Sequence, residues 1–313
     1  MSLALPENVE VLGDPHLGRR FKTGVPLHRV GEREASVWRD FENSLFDATK
    51  PFHVMMGDLF DKFVVPPEVV LRAADTYYNA AHQNPGTTYI VLMGNHDVSR
   101  DTSKGSSFDL FAALVDRVSN IVVVKDAPVT RDRFGFVPYS AFTPTADLVA
   151  ELPDDLEAVF GHWDIQDWGG DNVIPTAVLS QKNIPLAISG HDHLARDERF
   201  HGVDVIVTGS MQPYTHAEDD CGYLYVTVHL EDLEVMDVSG KNVRVLLREG
   251  ETLPADLDCL SLTAKRDVSE DDTIEIDASE YEGLDLKTML AGVLKDFACR
   301  DTLLEKFEEI RID

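Results

Sequence analysis

Cysteine is scarce. Cys221, Cys259 and Cys299 are the only three in 313 residues, far apart and without CxxC spacing. That excludes a disulfide scaffold and a thiolate zinc site, and it fits a reducing cytoplasm. Long apolar runs are missing too; none approaches the ~18 residues of a membrane span. The start, MSLALPENVEVLG, lacks a basic stretch followed by a long apolar one, so no secretory signal is expected. Basic residues are few: 28 Lys plus Arg face 56 Asp plus Glu, for a net charge of −28. Bulk charge therefore cannot hold nucleic acid. No internal repeat, low-complexity tract or long Gly/Ser linker is present.

What is there has the composition of a folded protein. The apolar fraction, 43 %, is enough to offset chain entropy. The acidity is uneven. From residue 216 onward, 26 acidic side chains face 10 basic ones. Between Pro15 and Arg33 the balance reverses, with Arg19, Arg20, Lys22, Arg29 and Arg33 against Glu32 alone. Lysine is also scarce, 11 against 17 Arg, which suits either a high-salt host or a basic partner for the acidic third.

The first two thirds alternate short apolar runs with amphipathic segments. Val9–Leu12, His53–Met56, Tyr89–Met93, Ile121–Val124, Val159–Phe160, Leu186–Ile188 and Val203–Val207 read as buried strands. Helices are expected around Ala35–Leu45, around Val70–Ala81 behind Pro66 and Pro67, and over Phe111–Val118. This is an α/β plan. From Tyr223 to Leu230 the pattern alternates as in a half-buried strand. Glu234–Val238 and Val243–Leu247 read as further strands, and Lys287–Phe297 and Thr302–Ile310 as helices. We expect a catalytic domain over 1–218 and an acidic α+β accessory domain over 219–313.

Five segments share one design, an apolar strand running into a turn with Asp, Asn or His after a glycine. They are VLGDPH, MMGDLFD, LMGNHD, VFGH and ISGHDH. Glycine permits the tight turn that aims a strand-end side chain at a shared site. In open α/β sheets, ligands gather at the carboxyl ends of strands. Asp14, His16, Asp58, Asn95, His162, His191 and His193 offer oxygen and imidazole nitrogen without sulfur. That mixture suits Mn, Fe or Zn, with Mn favoured. Seven ligands exceed one ion's needs and suit two ions sharing a carboxylate. Any one motif alone is commonly a structural turn; five in order, each behind a strand signal, are not. His28, His53, His82, His201, His216 and His229 are expected at the surface or in packing.

The series D-x-H, G-D-x-x-D, G-N-H-[DE], G-H and G-H-x-H resembles the signature of the calcineurin-like metallophosphoesterases over residues 9–210. The resemblance implies an αββα sandwich with a smaller C-terminal, capping-like α+β appendage. It implies one ion on Asp14, His16, Asp58 and His193, and a second on Asp58, Asn95, His162 and His191, with Asp58 bridging. The ions would be Mn2+, with Mg2+, Fe2+ or Zn2+ as the other candidates. His96 would sit beside the scissile phosphate and Asp97 would orient it. DPHLGRRF before a Glu/Arg-rich helix, GDLFDKFVVPPEVV, and GSMQPYTHAEDD after the last motif further resemble the SbcD-type nuclease subunits, which include phage recombination endonucleases. That likeness implies a cytoplasmic DNA exonuclease or endonuclease of repair or recombination. Its partners would be DNA, an SbcC-type ABC ATPase and a second copy of the chain, with no membrane.

Arg19, Arg20, Lys22, Arg100 and Lys104 are the candidate phosphate contacts, against a reading as solvated surface charge. Trp163 and Trp168 are candidates for base stacking or for packing. A small-molecule phosphatase or nucleotide phosphodiesterase with the same core is the alternative, and the acidity suits it. A non-catalytic scaffold is the third reading, disfavoured by the intact ligand set.

Overall fold

Strand order follows from how apolar runs alternate with helical spacing along the chain. The computed structural model describes residues 3–99, 101, 104–165, 170–254 and 256–267. The chain divides into one unit, Met1–Lys265, and a second, Arg266–Asp313. The expected helices at 287–297 and 302–310, Arg100 and Trp168 lie outside the described residues.

A first sheet is formed by β1 (Val9–Leu12), β2 (Phe52–Met55), β3 (Thr88–Leu92) and β4 (Ile121–Val124), in that order and parallel throughout. The central strands β2 and β3 are buried almost throughout, while the edge strands β1 and β4 are buried at their ends and half-buried between. A second sheet holds β5 (Val129–Arg131), β6 (Phe134–Phe136), β7 (Ala158–His162), β8 (Leu186–Gly190), β9 (Arg196–Phe200) and β10 (Val203–Val207), in the order β5-β6-β7-β8-β10-β9. Its central strands run parallel, while β5 and β9 pair antiparallel at the two edges.

The sheets pack face to face. Phe52, Val54, Met56, Ile90 and Leu92 from the first meet Phe134, Phe136, Phe160, Ile188 and Ile206 from the second in one apolar cluster. Helices α1 (Glu32–Phe46), α2 (Pro67–Gln83) and α3 (Ser107–Val115) cover the outer face of the first sheet. Pro67 opens α2, where its missing N–H costs nothing. Ser106 and Asp109 cap α3 reciprocally. Val118 lies beyond the end of α3. The short helices α4 (Thr145–Ala150) and α5 (Thr176–Gln181) lie on the outer face of the second sheet. The αββα layering is thus observed.

A third sheet joins β11 (Tyr225–His229), β12 (Asn242–Leu247) and β13 (Ser261–Arg266) over its own small core of Val228, Val238, Val243, Val245 and Cys259. The expected strand at 234–238 is not formed. Asp232 instead accepts from the N–H of His229 at 3.0 Å and closes a 3-10 turn over Leu230–Glu234.

Phe160 stacks on Phe136 at 5.1 Å and meets Phe134 edge-on at 5.8 Å, at the centre of the sandwich. Phe160→Ala is expected to cost about 3–5 kcal/mol through the cavity it leaves. Urea unfolding of the metal-free protein checks this.

Candidate metal centre

The five motifs end β1, β2, β3, β7 and β8, and their side chains meet where the two sheets abut. Isolated bridges Asp14–Ser210 and Leu17–Phe60 tie the loops together beyond the strands. The glycine before each key residue serves mainly to let chains approach. A Cβ on Gly94 would lie 2.2 Å from Asp58 Oδ1, and one on Gly190 2.6 Å from Asp14 Oδ1. Gly57 has a positive φ of 118°, and a Cβ there would meet the His162 ring at 2.2 Å. His16, Asp58 and His191 also adopt left-handed backbone, with φ of 45°, 51° and 76°. Such strain persists only where surrounding structure over-determines it, and it gathers at functional sites.

All seven sequence-predicted ligands come together. Around one position, His16 Nε2 lies 3.0 Å from His193 Nε2 and 3.7 Å from Asp58 Oδ2, and His193 Nε2 lies 3.8 Å from Asp14 Oδ2. Around a second, His162 Nε2 lies 2.8 Å from Asn95 Oδ1 and 3.4 Å from Asp58 Oδ1, and His191 Nδ1 lies 3.0 Å from Asn95 Oδ1. Asp58 thus turns one oxygen to each group. Overlapping sets drawn from Asp14, His16, Asp58, His96, His162 and His193 have the spacing of metal ligands. Asp14 Oδ1 is buried without a hydrogen-bond partner among the described residues, as expected of an oxygen built for a cation. These clustered aspartates and histidines fit a dinuclear metal site, and their nitrogen and oxygen donors fit Mn, Fe, Zn or Mg.

Electrostatics at the metal-free site follow from packing like groups together. Burial raises the Asp14 carboxyl to about 7, helped by the Asp58 charge and opposed by His162. Asp58 is pulled well below the usual carboxylate range: burial opposes this, but the His162 and His16 rings outweigh it. Burial lowers His16 to about 3. His162 is also desolvated, yet the Asp58 and Asp14 carboxylates carry it up to about 10.

His96 is the exposed member, with 42 % of its side chain accessible. Its Nδ1 lies 2.7 Å from the Asp61 carbonyl oxygen, and its Nε2 lies 4.0 Å from Asp58 Oδ2. A carbonyl only accepts, so Nδ1 carries its proton. The expected role of Asp97 is corrected here. Its buried carboxylate accepts from the N–H groups of Gly94, Leu59 and Phe60 at 3.0, 3.2 and 3.0 Å, and His96 is braced by Asp61 instead. Asp97 therefore ties the loops after β2 and β3 together.

Two clefts open beside His96. One of about 460 Å³ is lined by Asp58, Asn95, His96, Asp164, His191 and His193. The other, about 630 Å³, is lined by Arg19, Arg20, Lys62 and His96 among others. Arg19 pairs with Asp61 at 3.4 Å and lies over the Tyr214 ring. Lys22 instead lines an adjoining furrow of about 330 Å³ together with Arg19, Arg20 and Arg244. Lys104 pairs with Asp101 at 2.9 Å. Trp163 is fully buried, its ring against Gly161, so it packs and offers no face to a base. His53 bonds Ser44 inside the fold and His201 bonds Thr176, both as expected of packing residues. The motif pattern misses Asp164, Glu218, Lys62 and Arg244. Glu218 belongs to the acidic HAEDD stretch, its one visible signal.

No helix among the described residues is long and apolar enough to cross a membrane. Three solved structures align with part of the chain at low identity. Phosphopantetheinyl hydrolase from Mycobacterium tuberculosis is 14 % identical, over 66 % of this chain and 93 % of that one, with a TM-score of 0.38. GAP50, the anchor in the inner membrane complex of Plasmodium, is 16 % identical over 65 % and 71 %, with a TM-score of 0.39. The protein TT1561 of Thermus thermophilus is 12 % identical over 65 % and 89 %, with a TM-score of 0.40. At scores this low the likeness carries no argument. No curated protein matches the chain. The family model described as calcineurin-like phosphoesterase matches residues 9–195, well over half of the sequence. With its whole ligand series gathered at one site, the chain belongs to the calcineurin-like phosphoesterases, a family of metal-dependent hydrolases.

Proposed function

We propose that this phosphoesterase is a DNA nuclease of the SbcD type, cleaving phosphodiester bonds in repair or recombination with Mn2+ as its ion. The observation that carries the reading is where the cations lie. In a chain of net charge −28, the furrow beside the centre is lined by Arg19, Arg20, Lys22 and Arg244 and, among the described residues, by no carboxylate. Arg20, Lys22 and Arg244 have no ion-pair partner among the described residues. Cations left unpaired among the described residues of so acidic a protein suit a run of phosphates. An SbcC-type ATPase, a second copy of the chain and a cytoplasmic setting enter with this reading, on the sequence resemblance alone.

When bound, two divalent ions would supply Lewis-acid polarisation of the phosphoryl oxygens and a lowered pKa for attacking water. The chain's own residues do the rest. Asp14, His16, Asp58 and His193 would hold one ion, and Asp58, Asn95, His162 and His191 the other. With Nδ1–H held by the Asp61 carbonyl, only a doubly protonated His96 can give a proton from Nε2 to the leaving oxygen. Arg19 and Arg20 would orient the strand beside it.

The smaller cleft and the net acidity favour a second reading, a small-molecule phosphatase. Mn-dependent assays on linear double-stranded DNA, single-stranded DNA and para-nitrophenyl phosphate separate the two. Cleavage of DNA, weakened by Arg244→Glu, is expected; turnover of the small ester with none on DNA sinks the nuclease reading.

Asp58→Ala is expected to abolish both metal binding and hydrolysis in a folded protein. His96→Ala should retain the ions while turnover falls by about 10²–10⁴-fold, the usual loss for a general acid. Metal analysis beside the rate assay decides, since loss of the ions would make His96 a ligand.

Binding an ion requires a neutral imidazole and an ionised carboxylate. His162, raised to about 10, is protonated below that pH, so a cation must displace its proton. Apparent metal affinity should rise by about tenfold per pH unit between pH 7 and 9. The slope should steepen below about 7, where Asp14 is protonated as well. Calorimetric titrations in buffers of different ionisation enthalpy should report the released protons.

A further inference from the structure

The two histidines of the last motif are braced by carboxylates from distant parts of the chain, on opposite ring nitrogens. His191 Nε2 lies 2.8 Å from Asp164 Oδ1, which leaves Nδ1 facing Asn95 and His162. His193 Nδ1 lies 3.2 Å from Glu218 Oε2, which leaves Nε2 facing His16 and Asp14. An ionised carboxylate only accepts, so each brace selects the ring nitrogen that carries hydrogen.

Glu218 is itself held. Its Oε2 accepts from the N–H of Tyr214 at 2.8 Å and its Oε1 from the Thr215 hydroxyl at 3.0 Å. The same segment is anchored at both ends. Tyr214 donates its hydroxyl to the Pro15 carbonyl at 2.6 Å, between Asp14 and His16. Tyr225, at the start of β11, donates its hydroxyl to the Tyr214 carbonyl at 2.9 Å. The neighbouring Asp219 accepts from the N–H groups of Tyr223, Leu224 and Tyr225 at 2.9, 2.6 and 2.7 Å. The carboxylate therefore has one place to be, and the edge of the third sheet sets that place.

We propose that Glu218 is a positioning residue that fixes His193 with its hydrogen on Nδ1 and keeps Nε2 open to an ion, making one of the two metal positions depend on the third sheet. The proposal rests on the dinuclear reading above. The opposite tautomer would aim a ring lone pair at the Glu218 carboxylate and set an N–H among the ligand atoms. Outer partners of this kind are commonly worth about 10–100-fold in metal affinity.

Mn2+ titrated into the metal-free, full-length protein tests this by calorimetry and electron paramagnetic resonance. The parent protein should bind two ions and show a spin-coupled pair. Glu218→Ala should lose about 10–100-fold in affinity for one ion and none for the other, with isolated Mn2+ signals replacing the coupled ones. Glu218→Gln keeps an acceptor oxygen and should recover part of the loss. Unchanged affinity for both ions in Glu218→Ala overturns the proposal. So does equal weakening of both together with a lowered unfolding midpoint, the mark of a merely structural residue. Should Glu218→Ala not fold, long-range proton–nitrogen spectra of the zinc-loaded parent protein decide: hydrogen on His193 Nδ1 supports the proposal, hydrogen on Nε2 ends it. A parent protein that binds a single ion overturns the dinuclear reading itself.

Discussion

Asp58 is the side chain on which the centre depends. It is almost wholly buried, it presents one oxygen to each group of ligands, and Oδ1 also accepts from the His96 N–H at 2.8 Å. Its backbone is held in the left-handed region, with a φ of 51°, a strain that the surrounding structure has to maintain. Asp97 supplies that restraint by gripping the amides of Leu59 and Phe60 on one side and Gly94 on the other. The sandwich gives the restraint its footing. Because the two sheets meet through large apolar side chains, strand ends from both arrive at one edge with little freedom to separate.

Most of this is legible in the sequence because buried parallel strands and polar strand ends have sharp signatures. Val9–Leu12, Ile121–Val124 and Val203–Val207 agree with their apolar runs to the residue. The ligand set follows from five motifs whose spacing has no better explanation than a common destination. What escapes lacks periodicity. β9, RDERF, is a mostly exposed edge strand whose partner lies across a tight turn, so nothing in its apolar pattern announces it. The strand expected at 234–238 is lost to a local competitor, since Asp232 bonds the His229 amide before any ladder can form. Adjacency to His96 misleads for Asp97, because successive residues in a tight turn point in different directions. Asp164 and Glu218 cannot be paired with their histidines from spacing, because the fold alone brings them there.

The acidity of the chain divides into three parts. A few carboxylates face cations that the fold is built to receive. Others are tied to backbone amides, as Asp97 and Asp219 are, where they act as fixed acceptors rather than as surface charge. Among the described residues many others are exposed, and the basic furrow stands out against them. Against so negative a background, four cations shape the local field more than they would in a neutral protein.

The glycines that precede the ligands carry a consequence for how this protein can change. At Gly57, Gly94 and Gly190 the space for a single methyl group is already taken by a ligand side chain or by the backbone beside it. The centre therefore has no gradual route to a different geometry through these positions; alanine is already too large. Sequence drift is pushed outward, to the long loop after β1 and to the rims of the clefts, where Arg20 and Lys22 are exposed and can be exchanged singly. A lineage built on this scaffold would keep its chemistry fixed and diversify in what it admits.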